Sequence, residues 1–153
     1  MTDATTTDDL RLEQVLDASP ELVWEAWTDP VHLARWWGPD LFTTPRCEVD
    51  PRPGGAIRID MAGPDGVTYP MTGEFREVVE SERLVLVTSP VDGAGDKLFE
   101  VLLTVTLTPE GAGTRLTLEA EVLSQGPEAP QYLAGMEIGW TQSLGRLARQ
   151  VAA

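Results

Sequence analysis

The sequence predicts an α+β fold in which an antiparallel sheet, entered through two short helices, faces one long C-terminal helix. Three observations predict it. From residue 42 to residue 122, strand-like apolar runs are separated by turn-forming segments too brief to hold a crossover helix. The final segment carries apolar side chains at spacings of three and four. Ahead of the sheet, Ser19-Pro20 and Asp29-Pro30 each pair an N-cap residue with a proline suited to the first helical position.

The elements follow in order. LRLEQVLD sets Leu10, Leu12, Gln14 and Leu16 against Arg11, Glu13, Val15 and Asp17, a period-two pattern for a strand ending near Ala18. SPELVWEAWTDP then places Leu22, Val23, Ala26 and Trp27 on one helical face. A second short helix opens at Asp29-Pro30 and is stopped by Gly38-Pro39. Six further strands are read around FTTPRCEVD, AIRIDMA, TYPMTGEFREVV, RLVLVTS, FEVLLTVTL and TRLTLEAEV, joined by PRPGG, GPDG, ESE, DGAGDK and PEGAG. Gaps this short pair successive strands antiparallel, as a meander. From Pro130 to Val151 the stripe Leu133, Met136, Trp140, Leu144, Leu147 and Val151 predicts a helix about 33 Å long. Gly135, Gly139 and Gly145 interrupt it, each costing about 1 kcal/mol against alanine. Two tertiary causes fit them: close approach of the helix backbone to a neighbour, or a void left for a ligand.

A chain of 153 residues with 42% apolar content buries a real core within one domain. Residues 1–9 are polar and expected to be disordered, and residues 10–153 to form a single domain. Eleven Lys and Arg against 25 Asp and Glu give a net charge of -14, which opposes a grip on nucleic acid phosphates or anionic lipid, so neither nucleic acid nor a membrane is an expected partner. The lone Cys47 excludes an internal disulfide and suits a reducing compartment, and with no signal-like N-terminus or membrane-length run the expected location is cytoplasmic.

Catalytic signatures are sparse. His32 is the sole histidine, so a metal site or a nucleophile dyad lacks its usual members; no catalytic residue, no metal site and no cofactor is expected. Cys47 reads as a small buried hydrophobe, with no adjacent base. Asp60, Glu74 and Glu137 read as solvated acids unless an apolar cavity raises their pKa. No phosphate loop, dinucleotide fingerprint or zinc-protease string occurs.

The strings PELVWEAWTDPVHLARWWGP, GGAIRIDMAGPDGVTYPMTGEFREVVESERLV, GAGTRLTL and GMEIGWTQSLGRLA resemble the START-like superfamily, and within it proteins similar to the C-terminal domain of the activator of Hsp90 ATPase. The resemblance covers about residues 10 to 150 and departs at Gly145, where relatives often carry an acid. It implies the helix-grip fold: a curved antiparallel sheet wrapped around the C-terminal helix, with an apolar cavity between them closed at one end by the short helices.

On that expectation the adjacent indoles Trp36 and Trp37 have two readings. Either one packs inward while the other covers the cavity mouth or its ligand, or both fill core; the sequence does not say which indole takes which place. Alternation and size nominate Met61, Tyr69, Met71, Phe75, Leu86, Phe99, Leu103, Met136 and Trp140 as the remaining cavity wall. Ordinary core packing accounts for any one of them alone.

Three functions are in play. The first is non-catalytic binding of a small, largely apolar molecule. The second is a chaperone contact like that of the Hsp90 ATPase activator, whose separate N-terminal domain has no counterpart in this sequence. The third is an enzyme resembling polyketide cyclases and aromatases, with Tyr69, His32, Arg58 and Glu137 as its available tools. A homodimer is a further partner reading, because Leu102, Val85 and Val87 are apolar on strands whose other face is also apolar.

Overall fold

The computed structural model describes residues 10–125 and 129–152, and side chains other than those of residues 124–134. The disorder expected of residues 1–9 lies outside these, as does the side chain of Leu133. Strand β1 (Leu10–Leu16) leads into helices α1 (Pro20–Thr28) and α2 (Pro30–Trp36). Strands β2 (Thr43–Val49), β3 (Ala56–Ala62), β4 (Thr68–Val79), β5 (Arg83–Pro90), β6 (Phe99–Glu110) and β7 (Gly113–Gln125) follow, and α3 (Ala129–Ala152) ends the chain. The sheet runs β1-β7-β6-β5-β4-β3-β2, antiparallel at every described pair, so that only β1 makes a non-sequential pairing. The first strand stops at Leu16 rather than Ala18, because Asp17 and Ala18 turn the chain toward the Ser19 cap.

Both short helices start as their caps dictate. Ser19 Oγ accepts from the Leu22 N–H, and Asp29 Oδ1 accepts from the N–H groups of Val31 and His32, so one residue ends α1 and begins α2. At the far end of α2, Trp37 is the C-cap in extended conformation (ψ 133°) and Gly38 turns at φ +98°, a left-handed value that favours glycine.

One face of the sheet holds the core. Phe75 stands opposite Leu86, Leu86 opposite Leu103, Leu103 opposite Ala120, and Ala120 opposite Leu10, an apolar row across five strands. Leu144 and Leu147 of α3 join this core with Leu16, Val23, Leu33 and Trp36. The backbone neighbours of α3 are chiefly β1, α2 and α1. The helix is therefore fastened at its C-terminal half, and its earlier turns stand over the other end of the sheet. This is the helix-grip arrangement, a curved antiparallel sheet around a long C-terminal helix with two short helices after the first strand. On the opposite face, Val85 and Val87 are already buried within the single chain, and Leu102 is half-buried.

Candidate functional site

A cavity of about 640 Å³ lies between the sheet and the first described turns of α3. Its floor is the part of the sheet beyond the Phe75–Leu86–Leu103 row: Thr88 opposite Val101 forms the next row, and Met71 opposite Pro90 the one after. Met61 and Tyr69, paired across β3 and β4, carry the floor to the mouth. Gly135, Met136, Gly139, Trp140 and Ser143 of α3 form the roof, and Trp37 to Pro39 with Phe42 form the side wall.

Of the residues nominated from sequence, Trp37, Met61, Tyr69, Met71, Phe99, Leu103, Met136 and Trp140 line this space. Trp36, Phe75 and Leu86 do not; they are core residues, buried to 0%, 2% and 4% exposure. Phe75 and Leu86 point to the correct face but sit one row short of the cavity, where Leu103 marks its edge. Thr88 and Ser143 are lining residues that a search for large apolar side chains passes over, although Thr88 lies two positions beyond Leu86 and so on its face. Val101 was legible by the same alternation, between Phe99 and Leu103. Pro39 and Phe42 come from an irregular loop with no periodicity to read.

The doubled tryptophan divides its work because α2 ends between its two members. Trp36 remains helical and fully buried, and its Nε1 donates to the Ala26 carbonyl at 2.9 Å. Trp37, outside the helix, meets the cavity with 5% of its surface exposed. The two belong to a cluster with Trp27 and Trp140. Trp37 and Trp140 are edge-to-face at 5.2 Å, and Trp27 stacks on Trp140 at 6.1 Å and 15°. Trp27 Nε1 is buried without an acceptor among the described residues. At the mouth, the rings of Phe42 and Tyr69 lie 6.0 Å apart.

The side wall is held from α3. Arg146 Nη1 donates to the carbonyls of Trp37, Gly38 and Pro39 at 3.3, 2.9 and 3.0 Å, and Nη2 to that of Arg35 at 3.1 Å. Gln142 Oε1 accepts from the Asp40 N–H and Gln150 Nε2 donates to the His32 carbonyl, both at 3.1 Å. Positions 142, 146 and 150 recur every four residues, so one stripe of α3 fastens α2 and the loop after it.

The glycines of α3 are not explained by close approach. Among the described residues, a Cβ at Gly135 would meet nothing within 4 Å, one at Gly139 only Pro39 Cγ at 3.8 Å, and one at Gly145 only Arg149 Nη1 at 3.8 Å. Gly135 and Gly139 face the cavity.

Titratable chemistry in the cavity is confined to Tyr69 among the described lining residues. Glu74 and Glu137 are exposed and Asp60 half-buried; His32, Arg58 and these three acids lie outside the lining. Cys47, on β2 opposite Ile59, is also outside it, and its thiol is pushed up to about 11, first by burial and then by the negative charges of Asp29 and Glu48. Among the described residues no group of three His, Cys, Asp or Glu side chains is placed to hold a metal ion, and no helix is long and apolar enough to cross a membrane.

The chain is similar to solved structures across nearly its whole length. A protein from Chromobacterium violaceum is 32% identical with a TM-score of 0.79, covering 95% of this chain and 98% of its own. The AHSA1 protein from Silicibacter pomeroyi is 26% identical with a TM-score of 0.82, over 94% of this chain and 97% of its own. A protein from Arthrobacter aurescens, 24% identical with a TM-score of 0.87 over 99% of this chain and 90% of its own, shares the fold. No curated protein matches the chain. The sequence profile of the activator of Hsp90 ATPase homolog 1-like proteins matches residues 17–152, and the chain belongs to that family.

Proposed function

We propose that the protein binds a small, largely apolar molecule in the cavity between its sheet and α3, without transforming it. The observation that carries this reading is a space of about 640 Å³, within the range of ligand pockets, walled by aromatic, thioether and aliphatic side chains and by no charged one among the described residues. Three methionines, Met61, Met71 and Met136, supply an adaptable wall. Thr88, Ser143 and Tyr69 supply hydroxyls that orient a guest.

Two interior glycines support the same reading. Each lowers helix stability by about 1 kcal/mol relative to alanine, and neither is required by a packed neighbour among the described residues. What they leave is room over the cavity.

The test is saturable binding of the neutral fluorophore N-phenyl-1-naphthylamine, read by its emission and by energy transfer from the tryptophans at the wall. Native mass spectrometry of the purified protein would report any resident guest. The Gly139→Leu variant, which grows into the cavity from a position with nothing closer than 3.8 Å, should keep the thermal transition and lose the binding. No saturable binding by the wild type, or full binding by this variant, would sink the proposal.

A further inference from the structure

The cavity's charge environment narrows the guest. None of the chain's eleven Lys and Arg residues lines it. Arg146, the cation beside its wall, directs its guanidinium at the carbonyls of Arg35, Trp37, Gly38 and Pro39. Arg149 pairs with Asp40 at 3.7 Å, and Arg58 is exposed on the alternate of Ile57 and Ile59, the two buried residues flanking it on β3. Residues 1–9 and 124–134, whose side chains are undescribed, contain no lysine or arginine.

A carboxylate, sulfonate or phosphate placed in this space would lose its water and gain no counter-charge, a penalty of several kcal/mol in an apolar site. The chain's net charge of -14 adds repulsion on approach. The walls present aromatic faces and edges instead: Trp37 and Trp140 are perpendicular (84°) on one side, and Phe42 and Tyr69 stand at the mouth. Thr88, buried on the floor with no side-chain hydrogen bond among the described residues, and Ser143, whose Oγ donates to the Gly139 carbonyl and keeps its lone pairs, offer neutral polar partners.

From this we infer that the guest is an uncharged aromatic or polycyclic molecule bearing a hydroxyl or carbonyl group, and that fatty acids and other anionic amphiphiles are rejected. The inference rests on the binding function proposed above and gives it a ligand class.

Its test uses a matched pair on the intact chain. N-phenyl-1-naphthylamine and 1-anilinonaphthalene-8-sulfonate share a skeleton and differ by one anionic group. The neutral probe should bind at least about tenfold more tightly. In Met136→Lys, which sets a cation in the roof at a half-exposed helical position, the preference should shift toward the sulfonate by about tenfold or more. Tyr69→Arg, at the exposed mouth, provides a second such variant should the first fold poorly. Displacement of the neutral probe should then require less flavone than dodecanol, and less dodecanol than dodecanoate.

Equal affinity for both fluorophores in the wild type, or an unchanged ratio in both cationic variants, would overturn the charge selection. Dodecanol displacing as well as flavone would overturn the aromatic class. Failure of every probe to bind would instead remove the binding function itself, and this inference with it.

Discussion

The indole nitrogen of Trp36 donates to the Ala26 carbonyl at 2.9 Å, replacing the donor that helix geometry would take from residue 30. Residue 30 is a proline and has no N–H, so the same residue that starts α2 leaves a carbonyl of α1 without its partner. Trp36 closes that gap from ten residues away. Its neighbour in the core, Trp27, has a buried indole N–H with no acceptor among the described residues.

The two tryptophans therefore answer the same substitution differently. Trp36→Phe and Trp27→Phe open similar voids, but only the first also strands a carbonyl, while the second removes an unpaired donor. Trp36→Phe should be the more destabilising by about 1–2 kcal/mol in urea denaturation. Equal costs would mean that the Ala26 bond contributes nothing.

Arg146 makes a second forecast. Its four bonds reach carbonyls of residues 35, 37, 38 and 39 at the C-terminal end of α2, where a cation is also favoured by the helix dipole. Arg146→Met should lower stability by about 2–3 kcal/mol and speed amide hydrogen exchange in the segment from Trp37 to Phe42. Arg146→Lys should fall between, since an ammonium has no planar fork to spread over several carbonyls. A methionine variant with wild-type exchange in that segment would show that the loop holds itself.

How far the sequence made this site legible follows from what leaves a periodic trace. Turn chemistry and short gaps specify the meander from β2 to β7 but not the place of β1 beside β7, and the Ser19-Pro20 and Asp29-Pro30 pairs specify both short helices. Alternation finds the face that holds Met61, Met71 and Leu103, but not how far along that face the core stops, so Phe75 and Leu86 are nominated one row too soon. Trp36 and Trp37 are separable only once the helix is seen to end between them. Arg146 reaches across 109 residues to Trp37, and a contact of that range leaves no mark on spacing.

Gly135 and Gly139 test whether room or packing keeps them small. If packing did, alanine would clash; among the described residues a Cβ at Gly135 meets nothing within 4 Å and one at Gly139 only Pro39 Cγ at 3.8 Å. Gly135→Ala and Gly139→Ala should each raise stability by up to about 1 kcal/mol through helix propensity. Thermal denaturation of the two variants and their double decides it, and a loss of stability in either would show a close neighbour at that position.

Cys47 carries the pH forecast. Its thiol stands at about 11 against an ordinary 9.0, because burial, then Asp29 and Glu48, disfavour the thiolate. The thiolate is the nucleophile, so at pH 8 modification by 5,5'-dithiobis(2-nitrobenzoate) should run far more slowly than in urea-unfolded protein, by up to about a hundredfold. Between pH 9.0 and about 11 the unfolded chain releases this proton while the folded chain keeps it. The native state then binds more protons than the unfolded one, and its stability declines as pH rises through that window. The contribution is complete below pH 9.0 and is lost as the folded thiol titrates. Cys47→Ala, which removes the group, should flatten the decline over that range. A variant whose stability falls with pH as steeply as the wild type's would assign the alkaline loss to other groups.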